Sequence, residues 1–274
     1  MIRDITLGQY FPGNSFVHRM DPRAKILLMA VYVVVLFCAE SALSYGLLLM
    51  GTLFLICITR VSLKFYFRGL KPLIFIMVFT GLLNMFYAEG EPFWEIWILK
   101  FTWEGIFSAT FMILRIVMMV LVMSVLTYTT SPLLLTGGLE RLLHPLTYLK
   151  VPVHDFAMMM TIALRFIPTL LEETEKIMNA QKARGADFES GSLMRRAKAL
   201  IPILIPLFVS AIRRAEELAV AMECRCYEGD TDHRTRFVEY RFTYRDPVAL
   251  LFCGLILAGV LVLNGIFVWS KIGI

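Results

Sequence analysis

The chain has 274 residues, of which 58% are hydrophobic and 18% charged, and its mean hydropathy is +0.70. A soluble domain of this length rarely reaches such a hydropathy, so the composition argues against a soluble protein and favours a membrane protein. The net charge of +5 could indicate nucleic-acid binding, but the basic residues lie between long apolar runs, as bilayer topology requires. We therefore expect no nucleic-acid partner.

Five apolar runs follow one another along the chain, and each predicts a membrane-spanning helix. Backbone groups cannot stay unpaired in lipid, so a run close to ~20 residues long is expected to cross as a helix. Met1 opens into polar residues, so we expect the spans themselves, and no removed signal peptide, to direct insertion. The predicted spans are residues 26–42, 43–59, 72–88, 105–128 and 248–270.

Charge alternates between the predicted spans. The first loop offers only Glu40, and the loop AEGEPFWEIWILKFTWE is mostly acidic. The positive-inside rule therefore places the N-terminus and residues 60–71 in the cytoplasm. We divide the chain into a membrane domain (1–128), a cytoplasmic domain (129–247) and a final span (248–274). The basic residues that set this orientation are Arg3, Arg19, Arg23, Lys25, Arg60, Lys64, Arg68 and Lys71.

Residues 129–247 carry both signs of charge and two further apolar stretches, DFAMMMTIALRFIPTLL and KALIPILIPLFVSAI. Both are shorter than a span requires, and Arg165 interrupts the first. We predict two long amphipathic cytoplasmic helices here, preceded by a shorter helix that starts near Ser131–Pro132. A spanning hairpin is the alternative. Pro168, Pro202 and Pro206 are candidate hinges, because each removes a backbone hydrogen bond, although they could equally shape static packing.

The ends of the two long predicted helices repeat one pattern, NAQKARGADF and VAMECRCYEG, at an offset of 41 residues. In each copy an alanine lies one turn before an arginine, so a partner surface can approach closely while the arginine binds a carboxylate or carbonyls. We predict two docking ends for two similar partners or one dimer, against the alternative of two solvated helix ends. The predicted docking residues are Ala180, Ala183, Arg184, Gly185, Ala221, Cys224, Arg225 and Cys226.

The two copies differ at the position after the arginine. Gly185 can adopt the left-handed conformation that ends a helix. Cys226 cannot do so cheaply, so we expect the second helix to continue toward Gly229.

Arg115 and Asn84 are the candidate functional polar residues inside the predicted spans. Arg115 lies near the middle of the fourth span, where a charge is costly, and its partner would be Asn84 or a backbone carbonyl. It could line a water-filled groove toward a partner protein, or make a structural hydrogen bond between spans.

Other chemistry finds little support in the sequence. Cys224, Cys226 and His233 supply three possible zinc ligands, but residues two apart on a helix point to different sides, so we expect no metal site. His154 and Asp155 resemble part of a catalytic pair, yet no nucleophile accompanies them by spacing, and we expect Asp155 at or near the N-cap of a helix. There is no G-x-x-x-x-G-K-[ST] loop, so we expect no ATP hydrolysis by this chain.

Most of the chain resembles the transmembrane T component of energy-coupling factor (ECF) transporters. The resemblance is carried by LGQYFPGNSFVHRMDPRAKI, by LTYTTSP, by RFIPTLLEETEKIMNAQKARGADF and by the C-terminal span. It implies an all-α polytopic scaffold in a bacterial or archaeal cell membrane. It also implies that two helix ends bearing Arg184 and Arg225 sit in grooves of two ATP-binding-cassette subunits. These subunits bind ATP and magnesium, and this chain would bind no cofactor.

The same resemblance implies a third partner, a membrane-embedded S component that binds a vitamin or a transition-metal ion. Met-rich stretches would suit a surface that packs against different S components, although ordinary core filling explains them as well. The alternatives from other classes are a stand-alone permease and a membrane enzyme acting at the inner leaflet. The first would need polar residues converging at the bilayer midplane, and the second a clustered catalytic site.

Overall fold

The computed structural model describes residues 10–87, 92–96, 99–186, 188, 192–227 and 243–272. These residues are almost entirely helical, which confirms the predicted all-α polytopic membrane fold. The α-helices are α1 (Pro22–Cys38), α2 (Ala42–Thr59), α3 (Leu63–Leu70), α4 (Ile74–Tyr87), α5 (Trp103–Thr129), α6 (Pro132–Leu143), α7 (Val153–Ala183), α8 (Leu193–Glu223) and α9 (Arg245–Ile272). Short 3-10 helices cover Lys71–Leu73 and His144–Leu149.

An antiparallel β-hairpin lies between α4 and α5, where the sequence predicted only a loop. Its strands are β1 (Pro92–Ile96) and β2 (Leu99–Thr102), and Trp94 pairs with Phe101. Aromatic and β-branched residues favour extended backbone, and this short stretch is rich in both.

Four of the described helical segments are long and apolar enough to cross a membrane. They are Ala42–Thr59, Leu63–Met85, Gly105–Thr129 and Arg245–Gly265. Helix α1 has 17 residues, or about 25 Å at 1.5 Å per residue, so its role as a fifth span stays a prediction. Neither α7 nor α8 is among these four segments, so the alternative of a spanning hairpin gains no support from the described helices.

The border between the first two helices differs from the predicted one. Helix α1 ends at Cys38 because Ala39 is extended, and Ser41 caps α2 by accepting a hydrogen bond from the Leu43 amide. The predicted first span, 26–42, therefore ran past the turn. Apolar residues continue through this turn, so hydropathy alone could not locate it.

Contacts divide the described chain into two compact units. The first, the membrane unit, comprises residues 10–139 together with 243–272, and the second, the helical-pair unit, comprises residues 140–227. This division concerns packing alone. The predicted assignment of 129–247 to the cytoplasm stays a prediction.

The core of the membrane unit forms where α1, α2, α5 and α9 meet. Leu36, Leu48, Met118 and Val260 are fully buried there, one from each helix. Lipid tails are as apolar as these side chains, so close van der Waals packing holds the four helices together here. Tyr32 adds a polar link, since its hydroxyl lies 2.5 Å from the Thr52 hydroxyl of α2.

A buried group of polar side chains, here called the polar anchor, joins the starts of α1 and α9 to the end of α5. The carboxylate of Asp246 accepts hydrogen bonds from the amides of Asp21, at 3.0 Å, and Thr243, at 2.7 Å. The Lys25 ammonium donates to the Thr129 carbonyl at 3.1 Å and to the Thr130 hydroxyl at 2.9 Å. Buried charges are tolerated when such bonds satisfy them, so the anchor fixes three helix ends together.

Asn264 of α9 makes a second polar link, to the turn between α1 and α2. Its amide nitrogen donates to the Cys38 carbonyl at 2.5 Å, and its oxygen accepts from the Ser44 hydroxyl at 2.8 Å. The Cys38 carbonyl ends α1 and has no partner within the helix, so Asn264 supplies the missing donor.

Candidate functional site

Helix α7 ends in a Schellman motif built around Gly185. The Gly185 amide donates to the Lys182 carbonyl and the Ala186 amide to the Gln181 carbonyl, both at 3.0 Å. Gly185 has a φ of +87°, the left-handed conformation that this motif requires. These hydrogen bonds satisfy carbonyls at the end of the helix that would otherwise be unpaired. Arg184 is the residue directly before the left-handed Gly185.

Helix α8 ends in the same motif, one repeat later. The Cys226 amide donates to the Glu223 carbonyl at 2.9 Å, and the Tyr227 amide donates to the Met222 carbonyl at 3.0 Å. Each of these positions lies 41 residues after its counterpart in α7. Arg225 therefore occupies the same place in the turn as Arg184.

The prediction that α8 continues toward Gly229 is wrong. Helix α8 ends at Glu223, and Cys226 takes the left-handed conformation with a φ of +54°. For a residue with a Cβ this conformation costs roughly 1–2 kcal/mol. The two hydrogen bonds of the motif offset that cost, so the turn is imposed by the end of the helix and not by a glycine.

All eight predicted docking residues are solvent-exposed at the two ends. Ala180 lies one turn before Arg184, and Ala221 one turn before Arg225, so each arginine stands beside a small side chain. Such an end leaves backbone and guanidinium open to a partner. Whether a partner docks there stays a prediction.

Helices α7 and α8 run antiparallel, and an ion pair joins them about two thirds of the way along each helix. Arg214 Nη2 lies 2.5 Å from Glu173 Oε2, and the Ser210 hydroxyl donates to Glu173 Oε1 at 2.5 Å. Farther along, the Tyr227 hydroxyl lies 2.8 Å from the sulfur of Met158. Lower residue numbers in α7 thus pair with higher numbers in α8, which defines the antiparallel direction.

This arrangement separates the two arginine ends. Arg184 lies 11 residues beyond Glu173 on α7, and Arg225 lies 11 residues beyond Arg214 on α8. At 1.5 Å per residue each arm is about 16 Å long, so the ends lie about 33 Å apart on opposite sides of the ion pair. Glu173 and Arg214 are themselves 41 residues apart, which gives the helical-pair unit an approximate twofold relation between its two halves.

A cleft of about 340 Å³ lies beside the ion pair and extends toward the end of α7. Charged side chains from both helices line one part of it, and Ala180 lies at its far end. The lining residues are Thr169, Glu172, Glu173, Lys176, Ile177, Ala180 and Arg214.

The three candidate hinge prolines lie inside continuous helices. Pro168 falls within α7, and Pro202 and Pro206 fall within α8. A proline lacks the amide hydrogen that would bond the carbonyl four residues earlier, so both helices lack interior hydrogen bonds at these positions. Their role as flexible points stays a prediction.

The two intramembrane polar residues do not contact each other. Arg115 donates to the Ala39 carbonyl at 3.3 Å and to the Tyr45 hydroxyl, so its partner includes a carbonyl. The guanidinium therefore lies level with the turn after α1, although its Cα is near the middle of α5. The Asn84 amide donates to the Thr80 carbonyl at 3.1 Å and to the Met112 sulfur at 2.7 Å.

The other candidate groups remain dispersed. His154 lies 3.0 Å from Glu140 Oε1, and Asp155 falls in the first turn of α7. His233, the third possible zinc ligand, lies outside the described residues. Among the residues that the structure describes, no group of three His, Cys, Asp or Glu side chains could hold a metal ion.

The sequence prediction missed the Glu173–Arg214 pair and the polar anchor. The 41-residue offset that relates the two arginine ends also relates Glu173 to Arg214, which makes them equivalent positions but does not predict that they pair. The polar anchor gave no comparable signal, since Asp246 and Lys25 are more than two hundred residues apart and only the folded chain brings them close.

Comparison with known proteins agrees with this architecture. The family model described as Cobalt transport protein (CbiQ) matches residues 13–237. Proteins named energy-coupling factor transporter transmembrane protein EcfT match nearly the whole chain. Those of Thermosediminibacter oceani (48% identical, 98% of this chain and 100% of the relative), Ruminiclostridium cellulolyticum (52%, 90% and 92%) and Bacillus subtilis (46%, 92% and 95%) are examples. The chain therefore belongs to the family of transmembrane components of energy-coupling factor transporters.

Proposed function

We propose that this chain is the scaffold that joins two cytoplasmic ATP-binding-cassette subunits to a membrane-embedded S component. The proposal extends the family assignment to partners and to a division of labour. ATP and magnesium would be bound by the two ATPases, and the vitamin or transition-metal ion by the S component. This chain would contribute no catalytic group.

The observation that carries the proposal is the pair of matching helix ends. Arg184 and Arg225 follow the same turn geometry, both are exposed, and they lie about 33 Å apart on opposite sides of the Glu173–Arg214 pair. Two equivalent ends related by an approximate twofold suit a partner that is itself a dimer of similar subunits. A solvated charged end would need no such duplication of backbone geometry.

The chemistry of each end suits a groove lined by carboxylates or carbonyl oxygens. The guanidinium can donate two parallel hydrogen bonds, and the alanine one turn earlier lets the partner approach the helix backbone. Interface arginines of this kind often cost about 2 kcal/mol or more on truncation, which is roughly a thirtyfold loss of affinity. Losing both ends should therefore abolish a stable complex.

We propose that movement of the ATPases on binding ATP is passed through α7 and α8 to the S component. Antiparallel helices linked by an ion pair can carry a displacement along their length while changing their mutual angle. Pro168, Pro202 and Pro206 are the proposed points of bending, because each lacks one interior hydrogen bond. The proposed orientation, with the N-terminus and residues 60–71 in the cytoplasm, puts the basic loop on the ATPase side of the membrane.

The decisive experiment is co-purification of the tagged chain from its native membrane in mild detergent. The wild-type chain should bring two ATP-binding-cassette ATPases and a small membrane protein. Arg184→Ala with Arg225→Ala should lose the ATPases and substrate uptake while keeping its own yield and helical content.

A matched control replaces arginines in the bodies of the same helices. Arg165→Ala with Arg213→Ala also removes two positive charges, but from exposed positions away from the helix ends. This control variant should still co-purify with the ATPases. Equal retention of ATPases by both double variants, or recovery of the wild-type chain alone, would contradict the proposed function.

A further inference from the structure

Among the residues that the structure describes, the contacts of helix α3 with the membrane unit lie on one face. Tyr66 is buried, and its hydroxyl lies 3.1 Å from the Thr59 hydroxyl of α2. The Tyr128 hydroxyl of α5 donates to the Phe65 carbonyl at 3.2 Å, and the rings of Tyr66 and Tyr128 pack edge to face. These contacts fix which face of α3 points outward.

The outward face combines apolar and basic side chains in adjacent rows. Leu63 and Phe67, one turn apart, are 58% and 69% exposed. Lys64 and Arg68 form the neighbouring row one residue later and are also exposed. We call these four residues the α3 surface.

More positive charge flanks the α3 surface. Arg60 ends α2 in the left-handed conformation, and Lys71 follows α3; both are exposed. Between residues 60 and 71 there is no acidic residue. Four exposed cations therefore lie within twelve residues. This segment contains no carboxylate that could neutralise them.

The apolar row of the α3 surface continues into a segment that can cross the membrane. The stretch Leu63–Met85 meets the length and hydropathy of a span, and Phe75, just beyond Lys71, is 78% exposed. Exposed aromatic and aliphatic side chains on such a segment contact lipid. If Leu63–Met85 spans the bilayer, the α3 surface at its start would lie where acyl chains meet headgroups, with its cations at the polar level.

We propose that the α3 surface binds an anionic phospholipid of the leaflet that it faces. Leu63 and Phe67 contact the acyl chains, and Lys64 and Arg68 bind the phosphate group, with Arg60 and Lys71 adding to the positive field. Short basic amphipathic helices bind lipid in this way, by apolar burial plus attraction to negative headgroups. The proposal needs only membrane insertion and does not depend on the proposed ATPase docking.

The test titrates the purified full chain, in neutral detergent, with phosphatidylglycerol and separately with phosphatidylcholine, and counts bound lipids by native mass spectrometry. Wild-type chain should bind phosphatidylglycerol in preference to phosphatidylcholine. Lys64→Gln with Arg68→Gln should lower that preference by at least about fivefold, the effect of one cation at a charged membrane surface. Lys150→Gln with Lys198→Gln, exposed lysines of the helical-pair unit, should leave it unchanged.

Two further arms separate lipid from other ligands and from misfolding. Leu63→Ser with Phe67→Ser should weaken phosphatidylglycerol binding, and excess inorganic phosphate should not displace the lipid. Wild-type binding should weaken as salt rises, a readout that no folding defect in a variant can disturb. An equal preference in wild type and the Lys64/Arg68 variant, displacement by inorganic phosphate, or no phosphatidylglycerol preference at all would overturn the proposal; the last would point to an acidic protein partner.

Discussion

Cys226 occupies a backbone conformation that a side chain normally avoids, at a position where α7 has glycine. The strain is local, because the hydrogen bonds of the turn are the same in both copies. At the scale of single residues, the two helix ends therefore share one backbone geometry but differ in the conformational free energy that this geometry requires.

Replacing Cys226 by glycine should stabilise the chain by about 1 kcal/mol, because glycine adopts a positive φ without a Cβ penalty. The measurement is thermal unfolding in detergent, followed by circular dichroism. Cys224→Gly is the matched control, since Cys224 has helical angles and glycine there should destabilise by roughly 0.5–1 kcal/mol. A loss of stability in both variants would contradict the strain assigned to Cys226.

His18 links pH to the segment that precedes α1. Its Nε2 lies 3.0 Å from the Phe11 carbonyl, which can only accept, so Nδ1 accepts from the Ser15 hydroxyl at 2.6 Å. Burial lowers the pKa of His18 below its usual 6.5, the nearby Lys25 charge lowers it further, and the Phe11 carbonyl partly opposes both. The folded chain thus favours the neutral imidazole.

Acidification should loosen this segment. Because the folded pKa is depressed, the stability that His18 contributes is complete above pH 6.5 and is lost as pH falls through the folded pKa. Hydrogen exchange of residues 10–20 should therefore speed up between pH 7 and pH 5, after correction for the intrinsic rate. His18→Gln should remove that pH dependence, and an unchanged profile in the variant would argue against His18 as its source.

At the scale of helices, the polar anchor does what apolar contact cannot, which is to fix the axial position of one helix end against another. Asp246 is fully buried, with an exposure of 0%, and receives amide hydrogen bonds from two different segments. Apolar contacts have no preferred direction and adjust to small shifts, whereas these hydrogen bonds require one register.

Asp246→Asn should destabilise the membrane unit by about 1–3 kcal/mol. The amide cannot accept at both former oxygens, and the buried Lys25 ammonium loses a nearby negative charge. Thermal unfolding in detergent measures the change, and Glu40→Gln, at an exposed carboxylate, serves as the neutral control. Equal stability of the two variants would mean that the anchor is not stabilising.

Sequence patterns predicted the helices well and their ends less well. Long apolar runs located α2, α5 and α9, because lipid forces such runs to be helical. The end of α8 was missed because the rule that glycine ends helices is a preference, which two hydrogen bonds outweigh at Cys226. The sequence predicted a backbone carbonyl as one possible partner of Arg115 but not which one. The long Arg115 side chain reaches the Ala39 carbonyl, and no spacing in the sequence connects these two residues.

The candidate site was predictable to a similar extent. The repeat identified both arginines, because they share local sequence. The antiparallel direction of α7 and α8 could not be predicted, since it depends on which of many charged side chains pair. The Glu173–Arg214 and Tyr227–Met158 contacts show that direction in the structure.

At the scale of the whole molecule, the distance between the two arginine ends is the property that partners would sense. Spin labels on Ala183→Cys and Cys224, in a chain otherwise free of cysteine, should give a distance near ~30 Å by pulsed electron resonance, since each arm is about 16 Å long. Glu172→Cys with Arg213→Cys, the same 41-residue offset beside the ion pair, should give a much shorter distance. Similar values for both pairs would refute the antiparallel arrangement.

Arg184 and Arg225 lie at equal distances, 11 residues each, from the ion pair between Glu173 and Arg214. The ion pair is therefore placed midway between the two arginine ends. Forces applied at the two arginine ends in opposite directions add as a torque about this point, whereas equal forces in one direction simply carry the pair along. If two partners dock at these ends, their symmetric closing would rotate the helix pair, whereas a push from one partner alone would both rotate and displace it.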